Sequence, residues 1–168
     1  MTQDLAPHAP FPAAVSDDAA ALDEVVPANP MEVALIERLR HVGLRPTRQR
    51  LALGGLLFKG EDRHVTAEQL HGEALTAGVR VSVATVYNTL HQFTEAGLLR
   101  EVVVEAGRCY FDTNTSEHFH FFFEDDARLM DIHGAHSDAL NDVLPGLPMA
   151  PEGTQVERVD IIIRLKRA

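Results

Sequence analysis

Hydrophobic and polar positions divide the chain into a helical first part and a strand-like second part. From Asn29 onward the apolar residues Val33, Ile36, Leu39 and Val42 recur at steps of three, as on one face of a helix. Asn29 and Pro30 suit an N-cap and a first helical position, and Gly43 suits the end. Leu44-Arg45-Pro46 is a break, after which Thr47 caps a second helix predicted to run to about Phe58, with Leu51, Leu53, Leu56 and Leu57 inward. Thr66 and Gln69 make a capping-box pattern for a third helix, with Leu70, Ala74 and Leu75 inward and Gly78 at its end. Ser82 opens a fourth, in which Val83, Val86, Leu90 and Phe93 form the apolar stripe and Gly97 the stop.

The polar face of that fourth helix is unusual. Thr85, Asn88, Thr89 and Gln92, with Tyr87 at the edge, are dense in hydrogen-bond groups and free of charge. A solvated helix generally carries Glu and Lys there, whereas a helix lying in a DNA major groove meets base edges and thymine methyls. Only a short stretch holding Gly78 separates the third helix from the fourth, which is the helix-turn-helix pattern. After Gly97 the period changes to that of strands. Leu98 to Val104 and Arg108 to Phe111 flank the turn Glu105-Ala106-Gly107, and helices followed by such a hairpin describe a winged helix. Arg45, Arg48 and Arg50 cluster at the break before the second helix. They read either as a solvated turn or, beside a DNA-reading helix, as groups for phosphates or a minor groove.

Strand alternation governs the second half. In the stretch from Glu117 to Phe123, His118 and His120 share one face while Phe119, Phe121 and Phe123 share the other. A second strand is predicted over Ala127 to Ile132, a short helix over His136 to Leu144, and a third strand over Gln155 to Leu165. The expected fold class is therefore α+β, an N-terminal winged helix-turn-helix domain followed by a small α/β dimerisation domain. A dimer is expected because one such module buries too little surface for tight specific DNA binding.

Composition adjusts this picture in two places. The net charge of −10 argues at first against nucleic acid, but it is unevenly spread. Residues 1–30 carry five acids and no Lys or Arg, residues 112–168 carry eleven acids against five basic residues, and residues 31–111 are close to neutral. The expected organisation is a disordered acidic tail over 1–28, a winged-helix DNA-binding domain over 29–112 and a dimerisation and ligand-sensing domain over 113–168. A single cysteine, Cys109, excludes an internal disulfide and a Cys-based structural zinc site, and no apolar run approaches the length of a membrane span. A cytoplasmic protein with no membrane partner is the natural expectation.

His118 and His120 lie two apart on a strand, about 6.5–7 Å apart at Cα, so both rings can meet one ion. Alone this spacing is a weak signal, since two exposed strand histidines look the same. The ordered set Arg45-Pro46-Thr47-Arg48-Gln49-Arg50, His64-Val65-Thr66-Ala67-Glu68-Gln69-Leu70, Ala84-Thr85-Val86-Tyr87-Asn88-Thr89-Leu90 and Phe93…Ala96-Gly97-Leu98 is more specific, and it resembles the ferric uptake regulator superfamily over about residues 35–165. That resemblance implies a metal site of His64, Asp112, His118, His120 and Asp131. It also implies base contacts from Tyr87 and Asn88, to which the polar helix face adds Thr85 and the arginine cluster adds Arg45 and Arg48 as expected DNA contacts. Three imidazoles and two carboxylates suit Fe, Mn or Zn as divalent ions. The two acids are commonly Glu in the family, and Asp is one methylene shorter.

Two departures narrow the likeness. Phe123-Glu124-Asp125-Asp126 stands where many relatives carry a Cys-x-x-Cys pair, and Phe119 and Arg158 stand near the places of another site's ligands. The stretches from His118 to Asp125 and from Glu157 to Leu165 are similar to the iron response regulator branch. This implies a regulator of iron or haem status that binds pseudo-palindromic double-stranded DNA as a homodimer. Haem, or a haem-delivering protein, is then an expected partner and haem would use His118 and His120, because the N-terminal Cys-Pro motif of some members is missing. The alternatives are a repressor activated by a divalent metal and, from another class, a haem or metal carrier. A metal hydrolase using His118, His120 and Asp131 lacks a nucleophile, a phosphate loop and a general base in any fixed motif, so no enzyme activity is expected.

Overall fold

A computed structural model describes residues 29–132 and 150–167. The expected acidic tail and the short helix expected over residues 136–144 lie outside the described residues.

Among the described residues four helices come first, each opened by the cap its sequence offers. Helix α1 spans Pro30–His41, and its N-cap Asn29 accepts a hydrogen bond from the Glu32 amide. Helix α2 spans Arg48–Leu57 behind Thr47. Strand β1 (His64–Val65) leads into α3 (Ala67–Thr76), where Thr66 and Gln69 close a reciprocal capping box. Helix α4 spans Val83–Glu95 behind Ser82. Gly43, Gly78 and Gly97 each follow a helix with positive φ, the left-handed conformation that glycine adopts without a steric cost.

The helices enclose one core, in which Leu39, Leu53, Leu57, Leu70, Leu90 and Phe93 are fully buried. Four positions differ from the periodic reading. Val33, Leu75 and Val83 are exposed, each lying on the margin of its apolar stripe. Thr89, expected on the polar face of α4, is buried; its hydroxyl donates back to the Thr85 carbonyl, which satisfies it without solvent.

Two three-stranded sheets follow. Strands β2 (Arg100–Glu105) and β3 (Arg108–Asp112) form the wing, and β1 pairs with the far edge of β3, giving the order β1-β3-β2. The second sheet has the order β5-β4-β6, with β4 (Phe119–Phe123) central, β5 (Arg128–Ile132) antiparallel to it and β6 (Ile162–Leu165) parallel. The β6 strand is much shorter than the stretch 155–165 expected, because it pairs with a central strand of only five residues. Asp160, just before it, instead turns its carboxylate to Arg100 and Arg158.

The wing packs against the second sheet. Val102, Val104 and Tyr110 meet Phe122 and Leu129 in a second buried cluster. The Tyr110 hydroxyl donates to the Ala127 carbonyl, and Arg164 reaches from β6 to the Val104 carbonyl. The observed architecture is thus α+β, a winged helix joined to a second sheet unit, as the pattern predicted.

Candidate metal centre and nucleic-acid face

Strand register creates the metal centre. In the first sheet His64 on β1 sits directly opposite Asp112 on β3, and in the second sheet His120 on β4 sits directly opposite Asp131 on β5. Residues opposite one another on neighbouring strands project to the same side. His118, two residues before His120, projects with it. The chain passes between the two pairs in the short segment 113–117, so two cross-strand pairs from different sheets face one another.

All five ligand atoms lie within 4.8 Å of one another. His64 Nε2 is 2.8 Å from Asp131 Oδ1 and 3.3 Å from Asp112 Oδ2. His118 Nε2 lies 3.0 Å from Asp112 Oδ2 and 3.1 Å from Asp131 Oδ1, while His120 Nε2 lies 3.4 and 3.7 Å from the same oxygens. The histidines are therefore not the two exposed strand residues that the spacing alone suggested. His118 and His120 are buried, and Asp112 is wholly so. The wing covers their face of the sheet.

The chemistry of these atoms fits a cation. His64 Nε2, His118 Nε2 and Asp131 Oδ1 are buried and have no well-formed hydrogen bond, although they crowd against each other. Buried polar atoms left without partners are rare, and here they converge on one point. Imidazole nitrogens with carboxylate oxygens form a set for a borderline divalent ion such as Fe²⁺, Mn²⁺ or Zn²⁺. Burial pushes the Asp112 carboxyl up, but hydrogen bonds from His120 and His64, the charge of His64 and the Asn114 amide outweigh it. The net effect holds the group well below the usual carboxylate range, so it stays ionised as a ligand must. The His118 Nδ1–H donates to the Ser116 carbonyl at 2.9 Å, which turns Nε2 toward the centre.

A haem centred on His118 and His120 has no support in this geometry. Their ring centroids are 4.4 Å apart, and both Nε2 atoms face a point enclosed by carboxylates. No porphyrin plane fits there while the wing stays packed on the second sheet.

The expected DNA-reading residues lie on a separate face. Arg45 is exposed in the α1–α2 loop, and its carbonyl accepts from Arg50 Nη1 at 2.7 Å. Arg48 is exposed at the start of α2, Asn88 is exposed on α4, and Thr85 is half-buried with its hydroxyl 2.8 Å from that of Ser82. Tyr87 is half-buried, and its hydroxyl donates to Glu68 Oε1 on α3 at 2.9 Å. That bond, ahead of burial and the Glu68 charge, pushes the phenol up to about 12. Gln92 is occupied within the domain, accepting from Arg50 Nε and Nη2 at 3.1 and 3.0 Å.

A helix-turn-helix with its wing folded onto a second sheet, and a five-ligand pocket at that junction, defines a metal-responsive regulator of the winged-helix class. The comparisons agree. The ferric uptake regulator family model matches residues 41–145, and the chain belongs to that family. It is 31% identical over 108 residues to the ferric uptake regulation protein of Neisseria gonorrhoeae, covering 64% of this chain and 75% of that protein. It is 33% identical over 98 residues to the peroxide-responsive repressor PerR of Staphylococcus epidermidis, covering 58% of this chain and 65% of that one. Several other curated ferric uptake regulation proteins are matched over only about half their length, 55% for that of Vibrio anguillarum. The fold is similar to that of the Vibrio cholerae ferric uptake regulator, with a TM-score of 0.64 at 24% identity over 79% of this chain and 98% of that one.

Sequence reasoning did not single out Asn114, Ser116 or Glu68. The Asp112-Thr113-Asn114-Thr115-Ser116 run of short polar residues after a strand marks a turn held by side chains, which is the signal that was available.

Proposed function

We propose that this chain is a DNA-binding repressor whose affinity for its operator is raised when a divalent ion occupies His64, Asp112, His118, His120 and Asp131. The observation that carries the reading is the convergence of ligands from both sheets on one buried point. Two of them belong to the winged helix and three follow it. An ion held by all of them resists separation of the wing from the second sheet, and so fixes how the reading helix is carried. In a homodimer that constraint sets the angle between two copies of α4. Half-sites about one helical turn (10–10.5 bp) apart, or a multiple of it, then follow. The ligand set suits iron, manganese or zinc, and the names of the related ferric uptake regulation proteins favour iron. Tyr87 and Asn88 read base edges while Arg45 and Arg48 hold the backbone or an adjoining minor groove.

Gel shifts on genomic fragments with Fe²⁺ (under anaerobic conditions), Mn²⁺, Zn²⁺ or chelator test this reading. Metal is expected to tighten binding and chelator to release it, and Tyr87→Ala is expected to cost about 1–3 kcal/mol at particular operator positions. Tighter binding after chelation would reverse the sign of the switch, as an iron-scarcity regulator requires. Binding indifferent to every ion would end the proposal.

A further inference from the structure

Between the last strand of the winged helix and the first of the second sheet runs a segment several of whose hydrogen bonds attach to the metal ligands or their neighbours. The Thr113 amide donates to the Arg63 carbonyl at 3.1 Å, and the Arg63 amide returns a 2.8 Å bond to Thr113 Oγ1, immediately before His64. The Asn114 amide donates to Asp112 Oδ1 at 2.8 Å. The Asn114 side chain donates through Nδ2 to Asp131 Oδ2 at 3.2 Å. Its Oδ1 accepts from the Ser116 amide at 3.2 Å and lies 2.6 Å from the Ser116 hydroxyl. Ser116 in turn accepts from His118 Nδ1.

These bonds fix the Asn114 amide unambiguously. A carboxylate oxygen only accepts and a backbone amide only donates, so Nδ2 must face Asp131 and Oδ1 must face Ser116. They also sort the oxygens of both acids. Asp112 Oδ1 and Asp131 Oδ2 are held by Asn114, whereas Asp112 Oδ2 and Asp131 Oδ1 face the three imidazoles.

We propose that Asn114 is a positioning residue that makes Asp131 a one-oxygen ligand, and with its own amide does the same for Asp112, so that the centre offers three nitrogens and two oxygens. Without the side-chain donor, Asp131 is free to turn its second oxygen inward. The centre then gains a bidentate carboxylate and loses its orientation relative to His64. Outer hydrogen bonds to metal ligands characteristically govern affinity in this way. The inference rests on the five-ligand reading above and names what sets its coordination number.

The test uses the full-length protein with Co²⁺ and Mn²⁺ as probes. Wild type, Asn114→Ala and the near-isosteric Asn114→Asp are compared by circular dichroism, competition with a fluorescent chelator, and the Co²⁺ d–d spectrum. Asn114→Ala is expected to keep the fold, to bind both ions about 10–100-fold more weakly, and to lose Co²⁺ band intensity as the ligand number rises. Should Asn114→Ala fail to fold, Asn114→Asp carries the test, since it preserves shape but sets an acceptor against Asp131. Folded variants with wild-type affinity and an unchanged Co²⁺ spectrum would overturn the role of Asn114 while leaving the metal centre standing. Absence of Co²⁺ and Mn²⁺ binding by the wild type would overturn both.

Discussion

Metal binding at the five-residue centre has a thermal signature whose size can be worked out. An ion that binds the folded chain alone stabilises it by about 2.7 kcal/mol when free metal stands about 100-fold above Kd. For a chain of this length each kcal/mol moves Tm by about 2–4 °C, so loading is expected to raise Tm by about 5–11 °C. His118→Ala with His120→Ala removes two of the three nitrogens and leaves His64 with the two acids. The ion-dependent rise is then expected to vanish. Both histidines are buried, and His120 hydrogen bonds with Asp112, so the metal-free double variant will also melt lower than wild type. The informative quantity is therefore the difference between metal and chelator for each protein, not the absolute Tm. Far-ultraviolet circular dichroism suits the measurement, because the chain has no Trp. Binding requires unprotonated imidazoles and ionised carboxylates, so the rise should shrink as pH falls. A double variant that gained as much as wild type would place the ion elsewhere, and no gain in wild type with Fe²⁺, Mn²⁺ or Zn²⁺ would refute the centre altogether.

Two further outcomes concern stability. Arg100 is buried and reaches the Ser116 carbonyl on one side and the Asp160 carboxylate on the other, so Asp160→Ala leaves a buried cation short of its partner. A cost of about 2–3 kcal/mol is expected in urea unfolding, below that of a fully enclosed pair because Asp160 is 31% exposed, and Arg100→Met, which removes the charge as well, should cost less. Burial raises the Asp160 carboxyl, but bonding and charge from Arg100, then Arg158, lower it overall; its stabilising share is present above about pH 4 and is lost as pH falls through the lowered value, a loss Asp160→Ala should abolish. In α2, a Cβ at Gly55 meets nothing within 4 Å while one at Gly54 comes to 3.0 Å from Leu35 Cδ2. Gly55→Ala should therefore stabilise by about 1 kcal/mol from helix propensity, and Gly54→Ala by less, since Leu35 must give way; equal gains in Tm would refute the contact.

Local signals carried the helices and the wing, and long-range ones did not. Asn29, Thr47, Thr66 and Ser82 each cap the helix they were expected to cap, because a cap is written within four residues. Strand β1 was not visible, since two residues show no period and exist as a strand only through pairing with β3. Alternation placed His118 and His120 on one face but could not say that this face turns inward, which depends on Val102, Val104 and Tyr110 of the wing. His64, Asp112 and Asp131 came from family likeness alone. Their meeting depends on the registers of two separate sheets, and nothing in the spacing along the chain encodes that. Asn114 escaped notice for the same reason, because its partner Asp131 lies across the sheet boundary.

The same geometry gives a short route from the ion to the DNA face. His64 is two residues from Thr66, the cap of α3, so a ligand that holds His64 holds the start of that helix. Within the first turn of α3, Glu68 accepts from the Tyr87 hydroxyl, tying α3 to the polar face of α4. Only one capped helix start and one hydrogen bond separate the metal from a residue proposed to read bases. Each step is a directional bond rather than a diffuse packing contact. Along this route a displacement of His64 relative to the second sheet would reach Tyr87 through the start of α3 and the Glu68 bond. On this arrangement, Glu68→Ala should leave metal affinity intact while weakening the dependence of operator binding on metal, because it removes that bond and no ligand.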